Sequence, residues 1–247
     1  MQIVTFANCA PAASYYCFRE MLASCRRFGH DPLVLGWGEA WGGLGSKPKL
    51  LLRAIEQGRI TDPHILTLDA FDTLLARPPC DIMAAYEAHR TPIVWGAERN
   101  MFPDIPCDRD AVFPAAPGGF RFLNSGVCVA ETAVMHKMLQ WIKADEIPND
   151  HYMPDGKSVK HYNDQEIWLE AYVAMHAAGK KNMALDVNCN IALNMHSVAA
   201  DELDMNSERI RVLATGAEPC VVHFSGDAKT SGTMTAILAK LGLHGIR

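Results

Sequence analysis

Short apolar runs alternate along this 247-residue chain with longer stretches whose apolar positions recur at helical spacing. The first part predicts strands at residues 2–7, Pro32–Leu35 and the run ending at Asp69, and helices at Ala12–Phe28 and Pro48–Gln57. The rest predicts strands at Pro92–Ala97, Phe122–Val129, Met183–Val187 and Pro219–Phe224, and helices at Cys80–His89, from Val129 to Lys143, at Asp164–Ala178 and at Ser231–Leu241. This alternation predicts an α/β fold, a Rossmann-like, mostly parallel sheet flanked by helices.

Three connections stand out between these elements. The loop Gly36–Gly45 is rich in glycine, which permits backbone turns closed to other residues, so we expect it to shape a pocket. A long proline-containing loop runs through Gly119, and the polar stretch Ala144–Lys160 is predicted to be a mobile connection. We expect a single domain over residues 1–247.

Composition narrows the classes of function. With 49% hydrophobic and 21% charged residues the chain is typical of a soluble globular protein, and no apolar run is long enough for a membrane span. A net charge of −5 with dispersed Lys and Arg argues against nucleic-acid binding. The first residues carry no basic leader, so we expect a cytoplasmic protein. The eight cysteines form no C-x-x-C pair and are expected to be mostly buried thiols. A small molecule or another protein is the expected partner.

Two carboxylates, Asp69 and Asp72, follow the apolar run that begins at His64. In an open α/β sheet ligands bind beyond the carboxyl ends of the strands, and paired carboxylates there suit a divalent cation that carries a phosphorylated ligand. The alternative is a polar strand end whose second aspartate caps the following turn. The D-x-x-D spacing alone does not decide between them.

A histidine, His223, ends another apolar run. Two carboxylates and one imidazole leave positions open on a six-coordinate Mn²⁺ for two phosphate oxygens. Taken alone, a buried structural histidine is the commoner case. Its value as a ligand therefore depends on whether it meets Asp69 and Asp72 in space.

Further polar groups stand near predicted element boundaries. Lys47 at a helix start and Lys229 after Gly226 can each hold a phosphate, although lone lysines are usually solvated surface residues. Asn124 opens an Asn-Ser-Gly segment that can bond hydroxyl groups of a ligand such as a sugar, or form a strand bulge with local hydrogen bonds. Asp164 follows a predicted N-cap, Asn163, and can also project towards a ligand beyond the helix end.

Taken in order, these segments resemble the N-terminal glycosyltransferase domain of the collagen lysyl hydroxylases, a GT-A-type domain that uses a UDP-sugar and Mn²⁺. The resemblance covers nearly the whole chain, and the Asn-Ser-Gly element also looks like that of glycogenin-type transferases. It is carried by Val34–Trp41, Lys47–Ile55, the strand with Asp69 and Asp72, Trp95–Glu98, Phe102–Asp104, Arg121–Gly126, Asn163–Gln165, Leu185–Asp186 and His223–Lys229.

The resemblance implies a role for each matching residue. It implies that Asp69, Asp72 and His223 bind the metal and that Thr5 contacts the uridine. It further implies that Lys47, Gly226 and Lys229 hold the diphosphate, while Asn124 and Asp164 face the donor sugar, with Asp164 as the carboxylate nearest the anomeric carbon.

The leading hypothesis from the sequence is a Mn²⁺-dependent (or Mg²⁺-dependent) transfer of glucose or galactose from a UDP-sugar to a hydroxyl acceptor, with retention implied by the resemblance. Two alternatives stay open. The segment Asp69–Leu74 looks like the nucleophile loop of haloacid-dehalogenase-type phosphohydrolases, in which Asp69 would attack phosphorus. The third is a non-catalytic module that binds a UDP-sugar. The acceptor and the oligomeric state are not predicted.

Overall fold

The structure, a computed structural model, describes residues 1–9, 17–154 and 157–243. The strands are β1 (Gln2–Phe6), β2 (Leu33–Leu35), β3 (His64–Asp69), β4 (Thr73–Leu75), β5 (Ile93–Glu98), β6 (Phe122–Glu131), β7 (His151–Tyr152), β8 (Val159–Lys160), β9 (Met183–Asp186), β10 (Ala192–Asn194), β11 (Leu203–Asp204), β12 (Arg211–Val212) and β13 (Val221–His223). The α-helices are α1 (Phe18–Arg26), α2 (Ser46–Glu56), α3 (Pro79–Ala88), α4 (Arg109–Val112), α5 (Thr132–Trp141), α6 (Asp164–Ala177) and α7 (Gly232–Lys240).

Nine of these strands form one sheet in the order β2-β1-β3-β6-β5-β10-β13-β4, and β9 pairs with β5 on the edge that β10 also uses. Within it the pairs β1–β2, β1–β3, β5–β9, β5–β10 and β10–β13 are parallel. The pairs β3–β6, β5–β6 and β4–β13 are antiparallel. The predicted α/β fold with a mostly parallel sheet is therefore confirmed, with β6 and β4 as its antiparallel members.

The sheet is covered on both faces, which explains why its strands are continuous apolar runs. Successive residues of β3 enter different core clusters, because side chains alternate across a strand: Ile65 packs with one cluster and Leu66 with the other. The first cluster takes buried residues from α2, α5 and α6, and the second takes them from α1 and α3. Each helix thus buries its apolar stripe against one face of the sheet.

The structure departs from the sequence prediction in short elements. Strands β4 and β10 were not predicted, since each has only three residues and, unlike β2 and β13, was not recognised as an apolar run. No helix or strand was predicted in the connection Ala144–Lys160, which contains a short 3₁₀ turn and the antiparallel pair β7–β8. The predicted helix Ala12–Phe28 is described only from Phe18, and residues 10–16 of that region lie outside the described residues.

One further expectation from composition agrees with the structure. Five of the cysteines are buried and all eight are free thiols: Cys17, Cys25, Cys128, Cys189 and Cys220 are the buried ones. None of the helices in the described ranges is long and apolar enough to cross a membrane.

A buried aspartate shapes the turn that leads into β10. Asp186 is fully buried, and its carboxylate accepts hydrogen bonds from the backbone N–H groups of Asn190, Ile191 and Ala192. These bonds satisfy backbone donors that the turn would otherwise leave unpaired in the interior. The chain therefore returns to the edge of β5, and β10 ends with Asn194 at the carboxyl edge of the sheet.

Candidate active site

The pairing of β4 with β13 brings distant parts of the chain together at the carboxyl edge of the sheet. Asp69 ends β3, and the hydroxyl of Thr73 donates to its carbonyl oxygen at 2.6 Å, which closes the tight turn into β4. His223 lies opposite Thr73 in the antiparallel register. The backbone N–H of Phe224 donates to the carbonyl of Asp72 at 2.7 Å, so Asp72 is fixed beside the imidazole. The register of these two short strands therefore decides the geometry of the site.

The two aspartates each direct one oxygen towards a lysine and the other towards His223. The ammonium nitrogen of Lys47 lies 2.6 Å from Oδ1 of Asp69, and that of Lys229 lies 2.7 Å from Oδ2 of Asp72. The remaining oxygens, Oδ2 of Asp69 and Oδ1 of Asp72, lie 3.8 Å and 3.6 Å from Nε2 of His223. Ligands that share one divalent ion at about 2.0–2.4 Å lie about 3–4 Å apart, so this set of donors suits a cation.

The charges of this cluster support one another. Burial alone would raise the pKa of Asp72, but the neighbouring charges of His223 and Lys229 hold it well below its usual range. Burial alone would lower the pKa of His223, but the charges of Asp72 and Asp69 raise it overall. Asp72 therefore stays ionised at neutral pH, the state in which a carboxylate can bind a cation.

Lys47 links the cluster of Asp69, Asp72 and His223 to a third carboxylate, that of Asp164. Its ammonium nitrogen also lies 3.3 Å from Oδ2 of Asp164, and only 11% of the lysine side chain and 4% of the Asp164 side chain are exposed. Burial alone would lower the pKa of Lys47, but Asp164 and Asp69 raise it. Burial raises the pKa of Asp164, and Lys47 opposes that shift. Lys47 therefore forms ion pairs with two acidic side chains, Asp69 and Asp164.

The position of Asp164 follows from its helix start. The side chain of Asn163 accepts a hydrogen bond from the backbone N–H of Gln165 at 3.0 Å, which confirms the predicted N-cap. Asp164 is the first residue of α6 and its side chain lies at the helix end that faces the cluster. Capping and exposure to a ligand are thus compatible at this helix start.

Two adjoining cavities meet at the cluster. One, of about 480 Å³, is lined by residues that include Asn124, Asp164 and His196, and the other, of about 310 Å³, by residues that include Asn8 and Trp41. Both are bordered by the same five side chains: Leu44, Lys47, Asp69, Asp72 and Lys229. A ligand with two bulky ends joined by a charged centre can therefore occupy both cavities across the cluster.

The floor of the larger cavity is a buried amide and carboxylate network. Gln165 donates to Glu98 at 2.7 Å and accepts from the backbone N–H of Ser125 at 3.2 Å. The Oδ1 atom of Asn124 accepts from the backbone N–H of Gly126 at 2.9 Å, and the pairing of β5 with β6 shifts register at this point. The predicted strand bulge with local hydrogen bonds at the Asn-Ser-Gly segment is thus confirmed, and the same residues line the cavity.

Other predicted residues differ in how they face the cavities. Gly226 borders the larger one at a φ of +63°, a conformation that favours glycine. Thr5 is fully buried, and its hydroxyl donates to the carbonyl of Leu68 at 2.8 Å. Its side chain therefore lines neither of these two cavities in this structure, and the contact with uridine stays a prediction.

Sequence reasoning missed three residues that surround His223. Oδ1 of Asn194 accepts a hydrogen bond from Nδ1 of His223 at 2.6 Å, Gly126 lies against the ring, and Glu98 is buried nearby with a pKa raised by burial. Glu98 and Gly126 fall inside the segments that carried the resemblance, which was a usable signal. Nothing in the sequence marks Asn194, since it ends a strand that was not predicted.

Replacing Gly126 by alanine is expected to weaken the binding of Mn²⁺ strongly. A Cβ at this position would overlap Cε1 of the His223 ring, so the imidazole must move away from Asp69 and Asp72. We expect the affinity for Mn²⁺, measured by calorimetry, to fall at least about 100-fold, the upper range for loss of a supporting group around a metal. Gly232→Ala is the matched control, because a Cβ there meets no atom within 4 Å. Equal Mn²⁺ affinity in both variants would contradict the geometry.

Comparison with known proteins identifies the family. A family model described as the PLOD GT domain matches residues 2–237. Procollagen-lysine,2-oxoglutarate 5-dioxygenase 1 of Mus musculus is 27% identical over 226 residues, which cover 86% of this chain and 29% of that protein. The human multifunctional procollagen lysine hydroxylase and glycosyltransferase LH3 is 26% identical, with 86% of this chain and 28% of that protein covered. The chain thus spans less than a third of the length of these relatives.

The fold agrees with this match. The crystal structure of a glycosyltransferase involved in the glycosylation of the major capsid of PBCV-1 superposes with a TM-score of 0.53 at 11% identity, over 96% of this chain and 100% of that one. At this identity the likeness concerns the fold, and it confirms the GT-A-type architecture expected from the sequence. The chain therefore belongs to the PLOD GT domain family and is a glycosyltransferase.

Proposed function

We propose that this glycosyltransferase moves glucose or galactose from a UDP-sugar to a hydroxyl acceptor in a Mn²⁺-dependent reaction, with retention at the anomeric carbon. The observation that carries the proposal is the convergence of Asp69, Asp72 and His223, whose donor atoms lie within 4.8 Å of one another beside two lysines. The family supports glycosyl transfer, whereas the metal, the sugar and the stereochemistry belong to the proposal.

The donor set supports a divalent cation. Two carboxylates and one imidazole suit Mn²⁺, since carboxylates prefer hard cations and imidazole favours transition metals. The overlap that any Cβ at Gly126 would create with His223 indicates that the ring is held close by a backbone without a side chain. When bound, the ion would neutralise charge that develops on the UDP leaving group. Asp69, Asp72 and His223 would hold it.

The two lysines support the binding of a diphosphate. Lys47 and Lys229 border both cavities, and each now pairs with one of the metal-binding carboxylates. A diphosphate at the junction would offer these ammonium groups the phosphate oxygens as further partners, because an ammonium can donate three hydrogen bonds. Gly226 would permit the diphosphate to approach the backbone, since it borders the larger cavity without a side chain.

The two cavities support a division of the donor between them. We assign the nucleoside to the cavity of about 310 Å³ beside Asn8 and Trp41, where an aromatic side chain can stack on a base. The sugar belongs in the cavity of about 480 Å³, where Asn124 and Asp164 supply an amide and a carboxylate for its hydroxyls. Asp164 is the carboxylate we place nearest the anomeric carbon. Its pairing with Lys47 holds it at the cavity wall.

A screen of UDP-sugars that reads released UDP tests the proposal. Release with UDP-glucose or UDP-galactose should require Mn²⁺ and disappear with a chelator. Metal-dependent UDP binding by calorimetry without any release, over a broad panel of hydroxyl acceptors, would favour the non-catalytic module instead. Mg²⁺-dependent phosphatase turnover without UDP dependence would instead favour the phosphohydrolase, in which Asp69 attacks phosphorus. The family match does not support that alternative.

A further inference from the structure

The amide of Asn194 joins β5 to the imidazole of His223 through two hydrogen bonds. Asn194 is fully buried at the end of β10 and lies opposite His223 in the parallel register of β10 and β13. Its Nδ2 atom donates to the carbonyl oxygen of Ala97 at 2.7 Å, and its Oδ1 atom lies 2.6 Å from Nδ1 of His223. The strand register therefore builds this contact into the fold.

The direction of both hydrogen bonds follows from chemistry. A backbone carbonyl can only accept, so the atom that faces Ala97 must be the amide nitrogen of Asn194. The atom that faces His223 is then the amide oxygen, which can only accept. Nδ1 of His223 must therefore carry a proton, in the neutral ring as well as in the charged one.

This direction opposes the preference that the aspartates would impose. Nε2 of His223 faces a carboxylate oxygen from each of Asp69 and Asp72, and an anion attracts a donor rather than a lone pair. A neutral imidazole left to these carboxylates alone would place its proton on Nε2 and could not bind a metal there. A partner on Nδ1 is needed to keep the neutral ring in the opposite tautomer.

We propose that Asn194 is a positioning residue that keeps the proton of neutral His223 on Nδ1, so that the Nε2 lone pair is free for the cation. The inference rests on the proposed function, because only there does the imidazole of His223 bind a metal. A carboxylate or carbonyl behind a metal-binding histidine fixes the ring and its tautomer in the same way. Asn194 does so with a neutral amide, which is itself oriented by Ala97.

The test compares Asn194→Ala with Asn194→Asp. Alanine removes the acceptor that faces Nδ1, so we expect Mn²⁺ affinity by calorimetry to fall about 10-fold to 100-fold. Aspartate keeps an acceptor there and should lose clearly less affinity than alanine. Tyr86→Phe is the matched control, since it removes a hydroxyl that donates to Pro92 at 3.0 Å, far from the cluster, and should leave Mn²⁺ affinity unchanged.

The tautomer is read separately in the metal-free protein. Two-bond proton–nitrogen spectra of protein labelled with ¹⁵N-histidine distinguish protonation at Nδ1 from protonation at Nε2, and the His223 signals are assigned by their absence in His223→Gln. At a pH where the ring is neutral, we expect an Nδ1 proton in wild type and in Asn194→Asp, and a gain of the Nε2 tautomer in Asn194→Ala. A merely structural asparagine would change the melting temperature without changing this signature.

The outcomes separate the inference from the proposed function. An Nε2 proton on neutral His223 in wild type would overturn the inference, even if Asn194→Ala does not fold. Unchanged tautomer and Mn²⁺ affinity in a folded Asn194→Ala would also overturn it. Failure of wild type to bind Mn²⁺ would instead overturn the metal site of the proposed function, while the metal-free spectra would still decide whether Asn194 sets the tautomer.

Discussion

Replacing Asp72 by asparagine is expected to lower Mn²⁺-dependent release of UDP roughly 10²-fold to 10³-fold, the loss typical for removal of one group that stabilises charge in a transition state. The substitution keeps the size of the side chain but removes the charge that faces both His223 and Lys229. The neutral amide is a weaker ligand for a hard cation than a carboxylate. Initial rates of UDP release at saturating donor, with increasing Mn²⁺, measure the effect.

The control for this prediction is Asp31→Asn. Asp31 pairs with Arg26 at the surface, and 77% of its side chain is exposed, so the same chemical change there should leave the rate unchanged. An Asp72→Asn variant that keeps more than about a third of the wild-type rate at every Mn²⁺ concentration would show that Asp72 does not hold the cation.

Replacing Lys47 by methionine is expected to lower the free energy of unfolding by about 3 kcal/mol at pH 8, the loss expected when one partner of a buried ion pair is removed. Methionine fills a similar volume but leaves Asp69 and Asp164 without the cation between them. Burial already raises the pKa of Asp164 against the pull of Lys47, so without the lysine that pKa should rise further. Urea unfolding at constant salt measures the loss.

The pH dependence of this loss has a definite sign. A carboxyl group whose pKa is higher in the folded than in the unfolded protein destabilises the fold less as the pH falls, because protonation removes its buried charge. The Lys47→Met variant should therefore recover part of its lost stability between pH 8 and pH 5, as Asp164 takes up a proton. Lys49→Met is the control, since the ammonium group of Lys49 donates to the side-chain amide oxygen of Asn149 at 2.9 Å in an exposed position. A decrease in the free energy of unfolding below about 1 kcal/mol at pH 8, or one that grows towards pH 5, would show that the ion pairs of Lys47 with Asp69 and Asp164 do not stabilise the fold.

The sequence was sufficient to predict the sheet and the meeting of Asp69 with His223 at its carboxyl edge, because both follow from apolar runs. Asp69 and His223 each end such a run, and parallel strands bring their carboxyl ends to one edge. The predicted N-cap at Asn163 also follows from local chemistry, since a side-chain oxygen before a helix satisfies a free N–H group. These features are encoded within a few residues of the positions they determine.

Other features depend on register, which short segments do not reveal. Asp72 meets His223 only because β4 pairs with β13, and Asn194 meets it only because β10 lies alongside. Strands β4 and β10 have three residues each and were not predicted, so the sequence did not show that Asp72 and Asn194 meet His223. Thr5 shows the same limit, because strand alternation alone does not say that its hydroxyl donates to Leu68 rather than to a ligand.

The central claim is that Asp69, Asp72 and His223 hold the cation that binds the diphosphate of the donor. Anomalous diffraction at the manganese edge, from crystals grown with Mn²⁺ and UDP, tests it most directly. We predict one manganese peak in contact with a carboxylate oxygen of each aspartate, with Nε2 of His223 and with both phosphates of UDP. A peak bound elsewhere, or ordered UDP whose diphosphate lies away from these residues, would contradict the account.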